Sequence, residues 1–264
     1  MSRAHDSHVD EIWFESDGAR LFAVESGRGR PVILLHGGLT SHIAFRLIAA
    51  PLSRRFRIIT PDLRASGRSI HAGPLTWDQL ADDVAALAHH LGIARAVVGG
   101  ISFGAGCAVR VALRHPATTA ALVLLTPAFA GADVGFTPAQ QTAMRAMDAA
   151  GSRAIAEGVQ VLHPLFDALP APIRERARAI VDRFDPASVA ATTRFLASDA
   201  QPFATAADLA SISVPVLLVP GTDPYHPAEV SDLYSRHLPR STVRAIDPAD
   251  FASAIADFID RELA

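Results

Sequence analysis

The sequence predicts an α/β protein: a mostly parallel sheet with helices on both faces and an inserted helical cap. Three observations lead there. Apolar runs of strand length alternate with helical patterns, as in βαβ units. The runs at residues 31–35 and 121–125 are apolar throughout, as expected of strands buried on both faces. From Phe129 to about Ala210 no such run occurs, so the strand series is interrupted by helical sequence and resumes near Val214.

Taken in order, residues 10–15 and 19–26 read as two strands joined at Ser16-Asp17-Gly18, where Asp-Gly signals a hairpin. The apolar strand at 31–35 runs into His36-Gly37-Gly38-Leu39. Residues 41–52 read as a helix with Thr40 or Ser41 as its cap. A strand at 56–60 is followed by Pro61-Asp62-Leu63-Arg64-Ala65-Ser66-Gly67-Arg68-Ser69. Thr76 and Gln79 stand in capping-box spacing at the start of a helix over 76–91, which Gly92 ends. A strand entering at 95–98 leads to a tight turn and a helix that stops at His115-Pro116.

Beyond the strand at 121–125, several short helices are expected, broken by Pro138, Pro164, Pro170, Pro172, Pro186 and Pro202. A strand at 214–219 ends in Pro220-Gly221-Thr222-Asp223. A helix over 227–237, a strand over 241–246 and a helix from about 249 to 263 complete the chain. The expected division is therefore a core of 1–128 and 211–264 with a helical cap of 129–210.

Length and composition narrow the function. The chain has 264 residues, enough for one large domain or a core plus an insertion, and half of them are apolar. With 24 basic and 27 acidic residues it shows no basic patch, which argues against nucleic acid as a partner. Cys107 is the single cysteine, so no internal disulfide forms. No run reaches the roughly 20 apolar residues of a membrane span, and the polar start predicts no signal peptide. A cytoplasmic protein without a membrane partner is the expectation. Metal binding has little support: His5 and His8 lie in a tail, and His89-His90 are adjacent on a helix. No nucleotide or phosphate loop appears, and no cofactor is expected.

The turn after residue 98 carries the chemistry. Gly100, Ser102 and Gly104 form Gly-x-Ser-x-Gly between a strand and a helix. So sharp a turn strains its central residue and crowds its neighbours, which requires small residues two before and two after. It would push Ser102 Oγ out at the top of the sheet and aim the Phe103 N–H at whatever the serine attacks.

Together, His36-Gly37-Gly38, the stretch from Pro61 to Ser69, Gly100-Ile101-Ser102-Phe103-Gly104 and Gly221-Thr222-Asp223 resemble the α/β-hydrolase superfamily over nearly everything outside the cap. The resemblance implies Ser102 as nucleophile and Asp223 as the triad acid. It implies an oxyanion hole from the N–H groups of Phe103 and Gly38, with Leu39 as the other candidate for the second donor. His36 is then structural.

The pattern departs from the family at one point. The superfamily's histidine follows the last strand, yet no histidine occurs after His237. Serine is a poor nucleophile without an adjacent base. His226, three residues after Asp223, is the leading substitute; His163, His42 and His71 are weaker candidates. Asp247 and Asp250 stand near the usual place of the base, but Asp247-Pro248 is also a turn signal and Asp250 suits a helix's first turn.

The expected function is a cofactor-independent hydrolase of a small ester, lactone or related carbonyl compound. Ser102, Asp223 and His226 would be catalytic, and Leu39, Ile101 and Phe129 would contact an apolar part of the substrate. Two alternatives stay open. One is a non-hydrolytic enzyme, a cyclase, isomerase or lyase, using the oxyanion donors as fixed dipoles. The other is an inactive relative that binds a ligand.

Overall fold

A computed structural model describes residues 9–264, so His5 and His8 lie outside the described residues. The chain opens with a hairpin, β1 (Val9–Ser16) and β2 (Ala19–Ser26). Next come β3 (Pro31–Leu35), α1 (Arg46–Leu52), β4 (Arg57–Pro61), α2 (Trp77–His90), β5 (Ala96–Ile101), α3 (Phe103–Arg114) and β6 (Thr119–Leu125). Three helices follow: α4 (Pro138–Glu157), α5 (Ala171–Val181) and α6 (Pro186–Ala197). The sheet resumes with β7 (Val216–Val219), and α7 (Ala228–His237), β8 (Ser241–Val243) and α8 (Phe251–Leu263) complete it.

The eight strands lie in the order β1-β2-β4-β3-β5-β6-β7-β8. β1 pairs with β2 and β2 with β4 antiparallel, and every other pairing is parallel. The apolar runs alternate their side chains between two cores. Ile33, Leu35, Val98, Leu122 and Leu218 face a core shared with α2, α3 and α7. Val32, Leu34, Val97, Val123 and Leu217 face one shared with α8 and the end of α1. Continuous hydrophobicity is thus what a sheet sandwiched between helices requires.

Local departures from the sequence reading have physical causes. The helix expected at 41–52 opens as a 3-10 turn, His42–Phe45, and neither Ser41 nor Thr40 caps it with a side chain. Instead Asp62, from the loop after β4, accepts from the His42 N–H at 2.7 Å. Thr76 accepts from Gln79 N–H at 3.1 Å, but the Gln79 amide turns outward to Asp17 rather than closing the box. Pro138 and Pro186 do not break helices; they sit in the first turns of α4 and α6, where a missing N–H costs nothing. As a result α4 runs for 20 residues. β8 ends at Val243 rather than 246 because its neighbour β7 ends at Val219; only Arg244 N–H, donating to Leu218 O at 3.0 Å, extends the pairing.

α4 and α6 pack so closely that a methyl on Gly151 would overlap Thr193. They also reach loops at the carboxyl ends of the strands. Thr192 Oγ1 donates to Ala65 O at 2.7 Å, and a Leu196 methyl would lie 2.8 Å from a Cβ on Gly38. The loop after β4 is anchored from below by Arg64, buried and paired with Asp83 of α2 at 2.6 Å.

Candidate active site

The strand-to-helix turn between β5 and α3 sets the geometry. Ser102 adopts φ 55° and ψ −113°, a region costing a non-glycine residue roughly 1–3 kcal/mol. Its surroundings enforce it. A methyl on Gly100 would overlap the Gly104 carbonyl, and one on Gly104 the Leu35 carbonyl. Beneath the turn, Phe103 is wedged against Trp77 and Phe195, with ring centroids 5.3 and 6.1 Å away.

Ser102 Oγ lies 2.8 Å from His226 Nε2. The other ring nitrogen, Nδ1, lies 3.0 and 2.9 Å from the two oxygens of Asp223. A carboxylate only accepts, so it selects the tautomer with the proton on Nδ1 and leaves the Nε2 lone pair facing the serine hydroxyl. Burial works to raise the Asp223 pKa, but hydrogen bonding and charge from His226, together with the Tyr225 and His226 N–H groups, hold it below the ordinary value.

The imidazole therefore comes from the segment between β7 and α7, not from the segment after β8. There Asp247 accepts from the Ala249 N–H at 2.9 Å and caps a 3-10 turn, Pro248–Asp250. Of the other histidines, His163 turns to Asp182 at 2.7 Å. His42 is held by Asp62 at 2.8 Å, and the His71 backbone N–H donates to Ser188 Oγ.

His36 is fully buried and joins two loops. Leu63 N–H donates to its Nε2 at 3.0 Å, so Nδ1 carries the proton and donates to Gly37 O at 2.7 Å. Burial keeps this ring neutral by lowering its pKa, against the raising effect of Asp62. Cys107 is buried as well, and burial pushes its thiol pKa up, so it is not a nucleophile.

The N–H groups of Gly38 and Phe103 donate to no acceptor among the described residues. Gly37 borders the serine: a Cβ there would lie 3.8 Å from Ser102 Cβ. Ile101 is half-buried beside it. Leu39 joins an apolar cluster with Leu162, Val181 and Phe184 of the inserted segment. Phe129 is 2% exposed and packs edge-on to Trp77 at 4.8 Å, inside the core cluster. A cleft of about 710 Å³ lined by Arg30, Arg95 and Arg240 opens where the strands begin, and it includes none of the site residues. Among the described residues no group of three potential metal ligands occurs, and no helix is long and apolar enough to cross a membrane.

One participant escaped the sequence reading. Gln140, near the start of α4, donates to Tyr225 O at 2.9 Å, on the residue just before His226. Its readable signal was the Thr137-x-x-Gln140 capping-box spacing, and the structure forms that box.

The fold and the serine turn define a class of protein, and the comparisons agree. The family model described as alpha/beta hydrolase fold matches residues 30–255. The chain belongs to the alpha/beta hydrolase fold family. It is 38% identical over 111 residues to the AB hydrolase superfamily protein YisY of Bacillus subtilis (strain 168), covering 41% of each chain. It is 33% identical over 113 residues to the 2-hydroxymuconate semialdehyde hydrolase of Pseudomonas sp. (strain CF600), covering 41% of this chain and 40% of that one. The matches thus span well under half the length of these curated relatives. In structure it resembles a thermophilic esterase from Thermogutta terrifontis with malate bound. The TM-score is 0.80 at 24% identity, covering 98% of this chain and 100% of that one, a likeness of fold.

Proposed function

We propose that this protein is a cofactor-independent hydrolase of small carbonyl substrates, esters or lactones, that works through a covalent acyl-serine. The observation carrying the proposal is the unbroken series from Ser102 Oγ to His226 Nε2, 2.8 Å, and from His226 Nδ1 to Asp223. Ser102 Oγ attacks the carbonyl carbon as its proton passes to Nε2. The oxyanion is met by the N–H groups of Phe103 and Gly38, each donor worth about 2.7–4 kcal/mol in the transition state. Collapse expels the alcohol, which takes the proton back from Nε2. Water, deprotonated by the same nitrogen, then releases the acid. Asp223 orients the ring and stabilises the imidazolium.

The inserted helices serve as the cap, covering 129–210 between core segments 1–128 and 211–264. Leu196 above Gly38, together with Leu39 and Ile101, supplies an apolar wall. This favours a small-molecule substrate with a hydrophobic acyl or ring portion. The names of relatives, a semialdehyde hydrolase and an esterase, accord with that class. A serine already bonded to an imidazole supports covalent hydrolysis over the non-hydrolytic and ligand-binding alternatives.

The test is intact-mass spectrometry after exposure to a fluorophosphonate. Wild type should gain one adduct rapidly, Ser102→Ala none, and His226→Ala should label slower by orders of magnitude. A wild type that stays unlabelled for hours overturns the proposal.

A further inference from the structure

The geometry points to Gln140 as a positioning residue: its amide, delivered from the inserted helix α4, fixes the peptide that precedes His226 and so holds the imidazole against Ser102. This rests on the role proposed above for His226.

The turn that carries His226 needs such a hold. It lies outside the strands, and the side chains of Asp223 and Tyr225 are about half exposed. It folds back over Gly221, where any side chain would overlap His226. Within the turn, one peptide unit decides where the His226 Cα sits: the Tyr225 carbonyl joined to the His226 nitrogen. Its N–H end donates to Asp223 Oδ1 at 3.0 Å, and its C=O end accepts from Gln140 Nε2 at 2.9 Å. Both ends of one rigid plane are thus tied, one from inside the turn and one from outside it.

Gln140 can act as a fixed point because it has no freedom of its own. It is buried at 1% exposure. Its second Nε2 hydrogen donates to Ala128 O at 2.8 Å, just beyond β6, and its Oε1 accepts from Thr137 N–H at 3.0 Å. A flipped amide would set an oxygen against two carbonyls, so one orientation alone satisfies the site. A single side chain thereby links the inserted helices, the segment after β6 and the β7–α7 turn. Displacing an attacking group by about 1 Å can cost on the order of 100-fold in rate, so this link should register in turnover more than in substrate affinity.

The experiment compares Gln140→Met, which keeps the volume but removes both donors, with Thr137→Ala, which weakens the α4 cap and leaves the Tyr225 contact. Expected for Gln140→Met is a kcat lower by about 10- to 100-fold with KM nearly unchanged, and a matching fall in fluorophosphonate labelling. Thr137→Ala should lower Tm while kcat stays near wild type. A second arm follows the His226 Nδ1 proton by NMR, which should broaden in Gln140→Met through faster solvent exchange. Equal kcat and an unchanged Nδ1 signal in Gln140→Met overturn the inference, as does an equal kcat loss in both variants. If wild type neither labels nor turns over, the proposed function fails, and the Nδ1 signal still decides on Gln140. Should Gln140→Met not fold, exchange of the wild-type Gln140 amide protons decides: slow exchange supports the clamp, and rates of an exposed glutamine refute it.

Discussion

The Asp223 carboxylate holds His226 in two ways at once. Asp223 Oδ1 accepts from the His226 backbone N–H at 3.0 Å, and the same carboxylate receives the His226 ring through Nδ1 at 2.9 Å. The same side chain therefore orients the imidazole and reinforces the turn that carries it, which the Asp223 backbone carbonyl also closes by accepting from the His226 N–H at 3.0 Å. Carboxylate and imidazole thus come from one four-residue segment, 223–226.

Replacing Asp223 by Asn should separate the two tasks. An amide oxygen still accepts the Tyr225 and His226 N–H groups, so Tm should stay within a few degrees of wild type. The amide cannot enforce the Nδ1-protonated tautomer, and kcat should drop by about 10⁴-fold. Because the Asp223 pKa sits below the ordinary carboxylate value, wild type keeps this carboxylate charged at pH 7, the pH at which the variant is compared with it. Ester turnover with parallel thermal melts reads both; a stable, fully active variant would rule out the orienting role.

Gly104→Ala should cost folding rather than chemistry. The added methyl meets the Leu35 carbonyl, a backbone atom in a central strand that cannot swing away. Overpacking against fixed backbone belongs with the large destabilisations, on the order of 4 kcal/mol or more. Soluble yield and denaturant midpoint check it, and a midpoint unchanged from wild type would mean that the turn is looser than its geometry.

Asp62 should make stability depend on acid pH. Its buried carboxylate accepts from the His42 N–H and ring at 2.7 and 2.8 Å and from the Arg68 N–H at 2.8 Å. Burial pushes its pKa up, and the contacts with His42, His36 and Arg68 more than offset this, so it ends below the ordinary value. A depressed folded-state pKa contributes stability above the unfolded value of about 3.9 and loses it as pH falls through the folded one. Asp62→Asn should thus cost roughly 1.5–3 kcal/mol near pH 7, and the gap to wild type should narrow below about pH 4. Urea melts at pH 7 and pH 3 measure it; a gap that widens in acid contradicts the assignment.

What could be read from the sequence follows from what each feature demands of side chains. Strands buried on both faces must be apolar, so β3, β5 and β6 stand out in the one-dimensional pattern. The turn at Ser102 was legible because its sterics forbid side chains at Gly100 and Gly104. The end of β8 was not, since it depends on where β7 stops. The packing partners of Phe129 and Leu39 were not legible either, because membership of an apolar cluster is decided only when the helices meet. Gln140 escaped because its partners are the carbonyls of Ala128 and Tyr225, which every residue possesses and no sequence marks. Asp223 was singled out by the resemblance of Gly221-Thr222-Asp223 after a late strand, and His226 by lying three residues beyond it. The turn that brings the ring to Ser102 is held by the carboxylate's bonds to two backbone N–H groups, a common habit of aspartate in turns, and by the Asp223 carbonyl accepting from the His226 N–H.

The nearness of Asp223 and His226 along the chain also bears on inheritance. An imidazole and a carboxylate three positions apart travel as one piece through any recombination or insertion outside 223–226. A pair drawn from two distant loops survives only if their three-dimensional fit is preserved as well. In this chain the segment from 238 to 264 contributes no group to the Ser102 site. It is left to satisfy packing alone, and its loops can drift in length as long as Phe251, Ile255, Phe258 and Ile259 still cover their face of the sheet.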